Sequence, residues 1–157
     1  MIHQLRRTQQ LYCDIDTAWN FFSSPANLAR ITPKNLKFVV PENLGVWDIH
    51  EGVTIDYRLS PLLGIPVKWR TIITQVEDKK SFTDYQEKGP YKLWKHFHEF
   101  FPNEQGVLMR DSVDYELPLG FLGELVHALT VRKKLEYIFD YRFETLEALF
   151  NRKKPEL

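Results

Sequence analysis

Between Val53 and Leu117 the chain repeats polar and apolar side chains every two residues, and short turns interrupt the repeat. Successive strand residues point to opposite sides of a sheet, so this stretch dictates a series of antiparallel strands joined by tight connections. Val53, Ile55, Tyr57 and Leu59 oppose Thr54, Asp56 and Arg58, and Pro61 to Pro66, with its glycine, predicts a turn. Val67, Trp69, Thr71 and Ile73 then share a face up to the charged turn Glu77 to Lys80. A strand carrying Phe82, Asp84 and Gln86 stops at Gly89-Pro90, where the missing N–H and the permissive glycine break the ladder. The next strand runs from Lys92 to Phe101, and a turn at Pro102 to Gly106 leads into Val107 to Leu117. Leu108, Arg110, Ser112, Asp114 and Glu116 make one face of that strand largely charged, so Val107, Met109, Asp111, Val113 and Tyr115 must point inward.

The period differs on either side of this block. Ile2 to Cys13 predicts a first strand, ending at Asp14, which with Asp16 is placed to cap a helix carrying Ile15, Ala18, Trp19 and Phe22. Ser24-Pro25 starts a second short helix that ends near Thr32-Pro33, and Leu36, Phe38 and Val40 return to period two and predict a strand. From Phe121 to Phe150 the period is helical: Leu122, Leu125, Val126, Leu129, Leu135, Ile138, Phe139, Phe143, Leu146 and Leu149 form one broad stripe, with Leu125, Leu129 and Ile138 expected in the core. A helix of that length must lie across something large. The fold class is therefore α+β: a curved antiparallel sheet wrapped around a long C-terminal helix, with two short helices between the first and second strands. An interior space is expected between sheet and helix.

With 157 residues and no low-complexity break, residues 1–151 read as a single domain and 152–157 as a frayed tail. Lys plus Arg and Asp plus Glu both number 21, so no field of one sign recruits nucleic acid or an anionic membrane. Arg132 to Lys134 and Arg152 to Lys154 read as a solvated helix turn and a chain end. Met1 to Gln10 is polar, interrupted by Arg6 and Arg7, and no stretch approaches the roughly 20 apolar residues of a membrane span. Cys13, the sole cysteine, has no intramolecular disulfide partner and reads as a small buried apolar residue. A soluble cytoplasmic protein without membrane insertion is expected.

The inward faces carry more than core residues. Asp84 and Gln86 accompany Phe82, and His96 and His98 accompany Trp94 and Phe100. Each buried polar group left unpaired costs about 1 to 3 kcal/mol, so a sheet face that only packed a core would rarely hold them. The composition suits a pocket lining, to which Tyr57, Trp69 and Tyr115 add amphipathic aromatics.

As a set, several short motifs resemble those of the helix-grip SRPBCC superfamily, which includes START-like lipid-transfer domains, polyketide cyclases and dehydratases, and birch-pollen-allergen-like proteins. They are Asn27-Leu28 with Ile31-Thr32-Pro33, Phe82-Thr83-Asp84 with Gln86, Gly89-Pro90-Tyr91, Trp94-Lys95-His96 with His98 and Phe100, Asp111 with Val113, and Tyr115-Glu116-Leu117-Pro118. The likeness covers nearly the whole chain and is nearest to bacterial SRPBCC ligand-binding domain proteins. It implies a deep, mostly apolar cavity for a small hydrophobic or amphipathic ligand, and it does not imply a reaction.

The expected ligand-binding residues are Tyr57, Trp69, Asp84, Gln86, Trp94, His96, His98, Asp111 and Tyr115. The i, i+2 spacing of His96 and His98 would let both imidazoles face one metal, with Asp84 or Asp111 completing a site. A buried hydrogen-bond network, each histidine held by a carboxylate or carbonyl, is preferred, so no metal and no cofactor are expected. The function expected is carriage, sensing or sequestration of a small hydrophobic molecule. The alternative is a cyclase- or dehydratase-like enzyme using a His/Asp acid–base pair in the same cavity. A third reading, an interaction domain, would make the pocket only a packed core.

Overall fold

The computed structural model describes residues 1–40, 48–62, 64–126 and 130–152. Six strands form one antiparallel sheet: β1 (His3–Leu11), β2 (Thr54–Leu62), β3 (Ile65–Glu77), β4 (Ser81–Lys88), β5 (Leu93–Asn103) and β6 (Gly106–Glu116). Their spatial order is β1-β6-β5-β4-β3-β2, so β2 to β6 form a meander and β1 closes the far edge against β6. Helices α1 (Ile15–Phe22) and α2 (Pro25–Arg30) fill the connection from β1 to β2. Helices α3 (Gly120–Val126) and α4 (Arg132–Leu146) follow β6, and α4 continues into a π-helical turn, Glu147–Asn151. This is the α+β arrangement that the periodicity predicts, a curved sheet holding a C-terminal helix.

Local chemistry explains the entries and exits. Asp14 caps α1, its carboxylate accepting from the Thr17 amide at 2.7 Å. Ser24 precedes Pro25 as expected but makes no side-chain cap bond, so the proline's preset φ starts α2. Trp19 of α1 sits edge-on to Phe82 and Phe100, at 5.7 Å between centroids in each case, which locks α1 onto β4 and β5. At the other end Gln9 of β1 donates to the Phe143 carbonyl and the Glu147 carboxylate, and Asn151 donates to the Gln10 carbonyl. These bonds tie the end of α4 and the turn that follows it to an edge strand. Leu135, Phe139 and Leu146 bury the inner face of α4.

Three expectations need correction. Leu36, Phe38 and Val40 do not form a strand: Lys34–Leu36 is a 3₁₀ turn, Lys37 is left-handed, and Val39 meets the sheet at one bridge to Arg58. Short alternation is equally satisfied by a turn whose side chains dip inward, as Leu36 and Phe38 do. The predicted turn at Pro61 to Pro66 is tighter, because β2 reaches Leu62 and β3 starts at Ile65. The apolar stripe is not buried throughout: Leu122 is 61 % exposed and Leu125 50 %, and Phe143 and Leu149 face solvent in part. Leu129 and residues 153–157 lie outside the described residues.

The β5–β6 hairpin turns through Glu104-Gln105 into Gly106, whose φ is +132°. A Cβ there would stand 2.3 Å from the Leu11 carbonyl oxygen at the end of β1. Gly106→Ala is therefore expected to destabilise the fold by at least about 1–3 kcal/mol, a fall of several degrees in melting temperature. Gly52→Ala, also at positive φ but with nothing within 4 Å, should cost less in the same calorimetric comparison.

Candidate functional site

The strand register assembles the polar cluster. Asp84 of β4 lies directly across from His96 of β5, and His98 lies directly across from Asp111 of β6. All four side chains share the inner face, where opposed positions have Cβ atoms about 5 Å apart. The hydrogen bonds run along the diagonals: His98 Nε2 donates to Asp84 Oδ2 at 2.8 Å, and His96 Nε2 to Asp111 Oδ1 at 3.1 Å. The remaining nitrogens also meet carboxylates. His98 Nδ1 is 2.8 Å from Asp111 Oδ1 but off the hydrogen-bonding direction, and His96 Nδ1 is 3.7 Å from Asp84 Oδ2. The imidazoles lie over one another at 3.8 Å, with Phe82 stacked on His98 at 4.2 Å and Phe139 at 5.7 Å from His96.

Arg142 reaches this cluster from α4. It is 8 % exposed, its Nη1 stands 3.5 Å from Asp111 Oδ2, and its guanidinium lies 4.7 Å from the Phe139 ring centre. Its Nε has no hydrogen-bond partner. The sequence reading missed this residue, although a signal existed. Position 142 falls on the same helical stripe as Leu135, Phe139 and Leu146, and a cation on a buried stripe needs a buried anion.

Charge balance sets the protonation states. Two carboxylates face Arg142, so one imidazolium brings the cluster to neutrality. Burial opposes that charge on His98, but its contacts with Asp111 and Asp84 outweigh it and push its pKa up to about 9. Burial and the neighbouring His98 cation push His96 down, leaving it neutral. Burial also opposes the charges of Asp111 and Asp84, yet the histidines hold the Asp111 carboxyl well below the usual carboxylate range and lower that of Asp84.

A pocket of about 170 Å³, partly open to solvent, lies between this face and α4. Phe22, Leu28 and Ile31 line it from the α1–α2 segment, Ile55, Tyr57, Trp69, Thr71 and Ile73 from β2 and β3, and Leu135, Ile138 and Phe139 from α4. Of the nine residues expected at a ligand, Tyr57, Trp69, Asp84, Trp94, His96 and His98 line this pocket. Gln86, Asp111 and Tyr115 stand behind the wall. Gln86 exchanges two hydrogen bonds with the Tyr91 backbone, at 2.7 and 3.2 Å, and so clamps the Gly89-Pro90 turn. Asp111 is 1 % exposed beneath the imidazoles, and Tyr115 packs with Leu5, Val113, Leu135 and Trp94. The outer sheet face also carries a hollow, of about 450 Å³, walled by solvated side chains such as Gln4, Arg6, Lys95 and Asp114, as expected of the wet side of an antiparallel sheet.

The histidines make stability pH-dependent in two directions. His98 holds its proton more tightly folded than unfolded, so its contribution is full below pH 6.5 and is lost as pH rises from there to about 9. His96 resists protonation when folded, so stability also falls as pH drops below 6.5. Calorimetry in EDTA should show a maximum near neutrality and an alkaline decline worth on the order of a few kcal/mol. His98→Gln should flatten the alkaline decline.

No family profile and no curated protein matches the chain. Solved structures do. A Chromobacterium violaceum protein superposes with a TM-score of 0.71 at 11 % identity, covering 96 % of this chain and 99 % of that one. A Thermus thermophilus protein gives 0.69 at 17 % identity over 93 % and 95 % of the two chains. Major latex-like protein 151 from Panax ginseng gives 0.67 at 16 % identity over 96 % and 99 %. At these identities the likeness establishes the fold alone: the chain has the helix-grip architecture of the ginseng protein, as the motif resemblance implies.

Proposed function

We propose that residues 1–151 form one domain that binds a small hydrophobic or amphipathic molecule between the sheet and α4, as a carrier, sensor or sequestering protein. The observation that carries this reading is the pocket itself: an apolar wall with Asp84, His96, His98 and Arg142 on its surface, charge-balanced by Asp111 behind them. A volume of about 170 Å³ is comparable to an engineered apolar cavity of about 150 Å³ that takes up benzene. One ring or a short alkyl segment would sit inside, with the rest of the molecule extending through the open side. The polar groups would orient an oxygen or nitrogen of the ligand, and Gln86, Asp111 and Tyr115 would support the wall from behind.

One observation keeps an enzymatic reading alongside it. His96 is neutral, lies in the pocket wall and directs Nδ1 toward Asp84 at 3.7 Å, beyond hydrogen-bond length, so a bound substrate could lose a proton to it. The two readings part on mutation. His98→Ala weakens affinity in a carrier, whereas in a cyclase- or dehydratase-like enzyme it abolishes turnover and leaves binding largely intact.

Native mass spectrometry of the purified protein against its denatured mass, followed by extraction, tests binding directly. Retained hydrophobic compound is the expected result, and a ligand at a hundred times its Kd should raise stability by about 2.7 kcal/mol. Ile138→Trp, which fills the pocket from α4, should lose both the retained compound and the thermal shift. An empty wild-type protein that shifts with no fatty acid, aromatic or polyketide-like compound would overturn the proposal.

A further inference from the structure

The polar cluster is organised in two tiers, with one hydrogen bond in each. His96 Nε2 bonds to Asp111 Oδ1 at 3.1 Å, and His98 Nδ1 stands 2.8 Å from the same oxygen, off the hydrogen-bonding direction. His96 Nδ1 and His98 Nε2 both point the other way, to Asp84 Oδ2, at 3.7 and 2.8 Å. Asp84 and both histidines line the pocket, whereas Asp111 is buried behind them and held on its other oxygen by Arg142. Metal sites are built this way: ligating histidines donate their far N–H to a buried carboxylate, which sets ring orientation and tautomer. Each of Asp84, His96 and His98 offers one ligand atom, and these three atoms lie within 4.8 Å of one another. Ligands of a tetrahedral site with bonds of about 2.0–2.2 Å stand roughly 3.3 Å apart, so closing these atoms on an ion takes side-chain shifts of roughly an ångström.

We propose that Asp84, His96 and His98 bind a divalent transition metal of the Zn²⁺ or Co²⁺ type at the polar end of the pocket, with Asp111 as the positioning residue for both imidazoles. The set is two nitrogens and one carboxylate oxygen from one side, which leaves a position facing the pocket for water or an oxygen of a bound molecule. The ion takes the place of the proton between His98 and Asp84, and that proton goes to solvent. Asp111 lies behind both imidazoles, with one nitrogen of each within 3.1 Å of its Oδ1, where it would set their orientation once the ion is bound. The network gives each histidine one bonded carboxylate, yet it leaves His98 Nδ1 without a hydrogen bond although it stands 2.8 Å from Asp111 Oδ1. The proposal stands apart from ligand binding, because it is read with the metal alone.

The test is titration of chelator-treated full-length protein with Co²⁺, followed by visible absorption, and with Zn²⁺, followed by elemental analysis after dialysis. One ion per chain is expected, with Co²⁺ d–d bands of a low-coordinate site that Zn²⁺ abolishes. Asp84→Asn and His96→Gln should lose the bands, with far-UV circular dichroism reporting whether each variant is folded. Asp111→Asn should keep the bands and weaken affinity about 10- to 100-fold, which distinguishes positioning from ligation. Folded wild-type protein that leaves Co²⁺ as the aqua ion and retains no Zn²⁺ overturns the proposal, whatever the variants do. So does a folded Asp84→Asn that binds Co²⁺ like wild type. Either failure leaves the mass-spectrometric result on a retained compound untouched.

Discussion

The carboxylate of Asp111 is the group on which the rest of the site depends. Buried to 1 % exposure, it would cost several kcal/mol as a lone ion, and it is tolerated because His96, His98 and Arg142 converge on it. That convergence needs three separate alignments. β5 must pair with β6 so that His98 faces Asp111, β4 with β5 so that Asp84 faces His96, and α4 must be turned so that Arg142 points down. A slip of one residue in either ladder would turn these side chains to solvent and bring charged outer-face residues such as Lys95 or Arg110 into the core. The buried charges thus act as a register device, expensive if misaligned and balanced when aligned.

Around this device the aromatic residues divide the interior. Trp19, Phe82 and Phe100 close one end against α1, while Tyr91, Trp94, Tyr115 and Trp69 pack at the other. The sequence Phe82, His98, His96, Phe139 forms a run of ring contacts from the sheet to α4, so the imidazoles are held by packing as well as by hydrogen bonds. Rings held on both faces have little freedom to turn, which is what a ligand or an ion at their edges requires. The pocket is the space that these two packed ends leave between them.

Other parts of the chain stay loosely engaged with this core. Leu119 is exposed just before α3 and Phe121 and Leu122 are exposed on it, although the apolar stripe read from the sequence includes Leu122. Among the described residues no helix is long and apolar enough to cross a membrane. Periodicity reports that one face is apolar, and it does not report whether anything lies opposite.

The sequence by itself determined the architecture. The long period-two runs between turn residues specified a meander with one wet face, Gly89-Pro90 placed one of its breaks, and Asp14 and Ser24-Pro25 placed the two helix starts. It also determined that Asp84, His96 and His98 would share an inner face, because alternation is local geometry. What only the tertiary structure decided was who meets whom. Trp69 and Trp94 reach the pocket while Tyr115 does not, because the helices cover some positions of the inner face and not others. Gln86 turned from the pocket to clamp a turn, since the Tyr91 backbone offered both a donor and an acceptor within reach. Arg142, some thirty residues beyond Asp111 in the chain, became its partner only when α4 was laid across the sheet. Strand periodicity operates over a few residues and so is written in the chain, whereas ion pairing across layers depends on how whole elements are docked and is not.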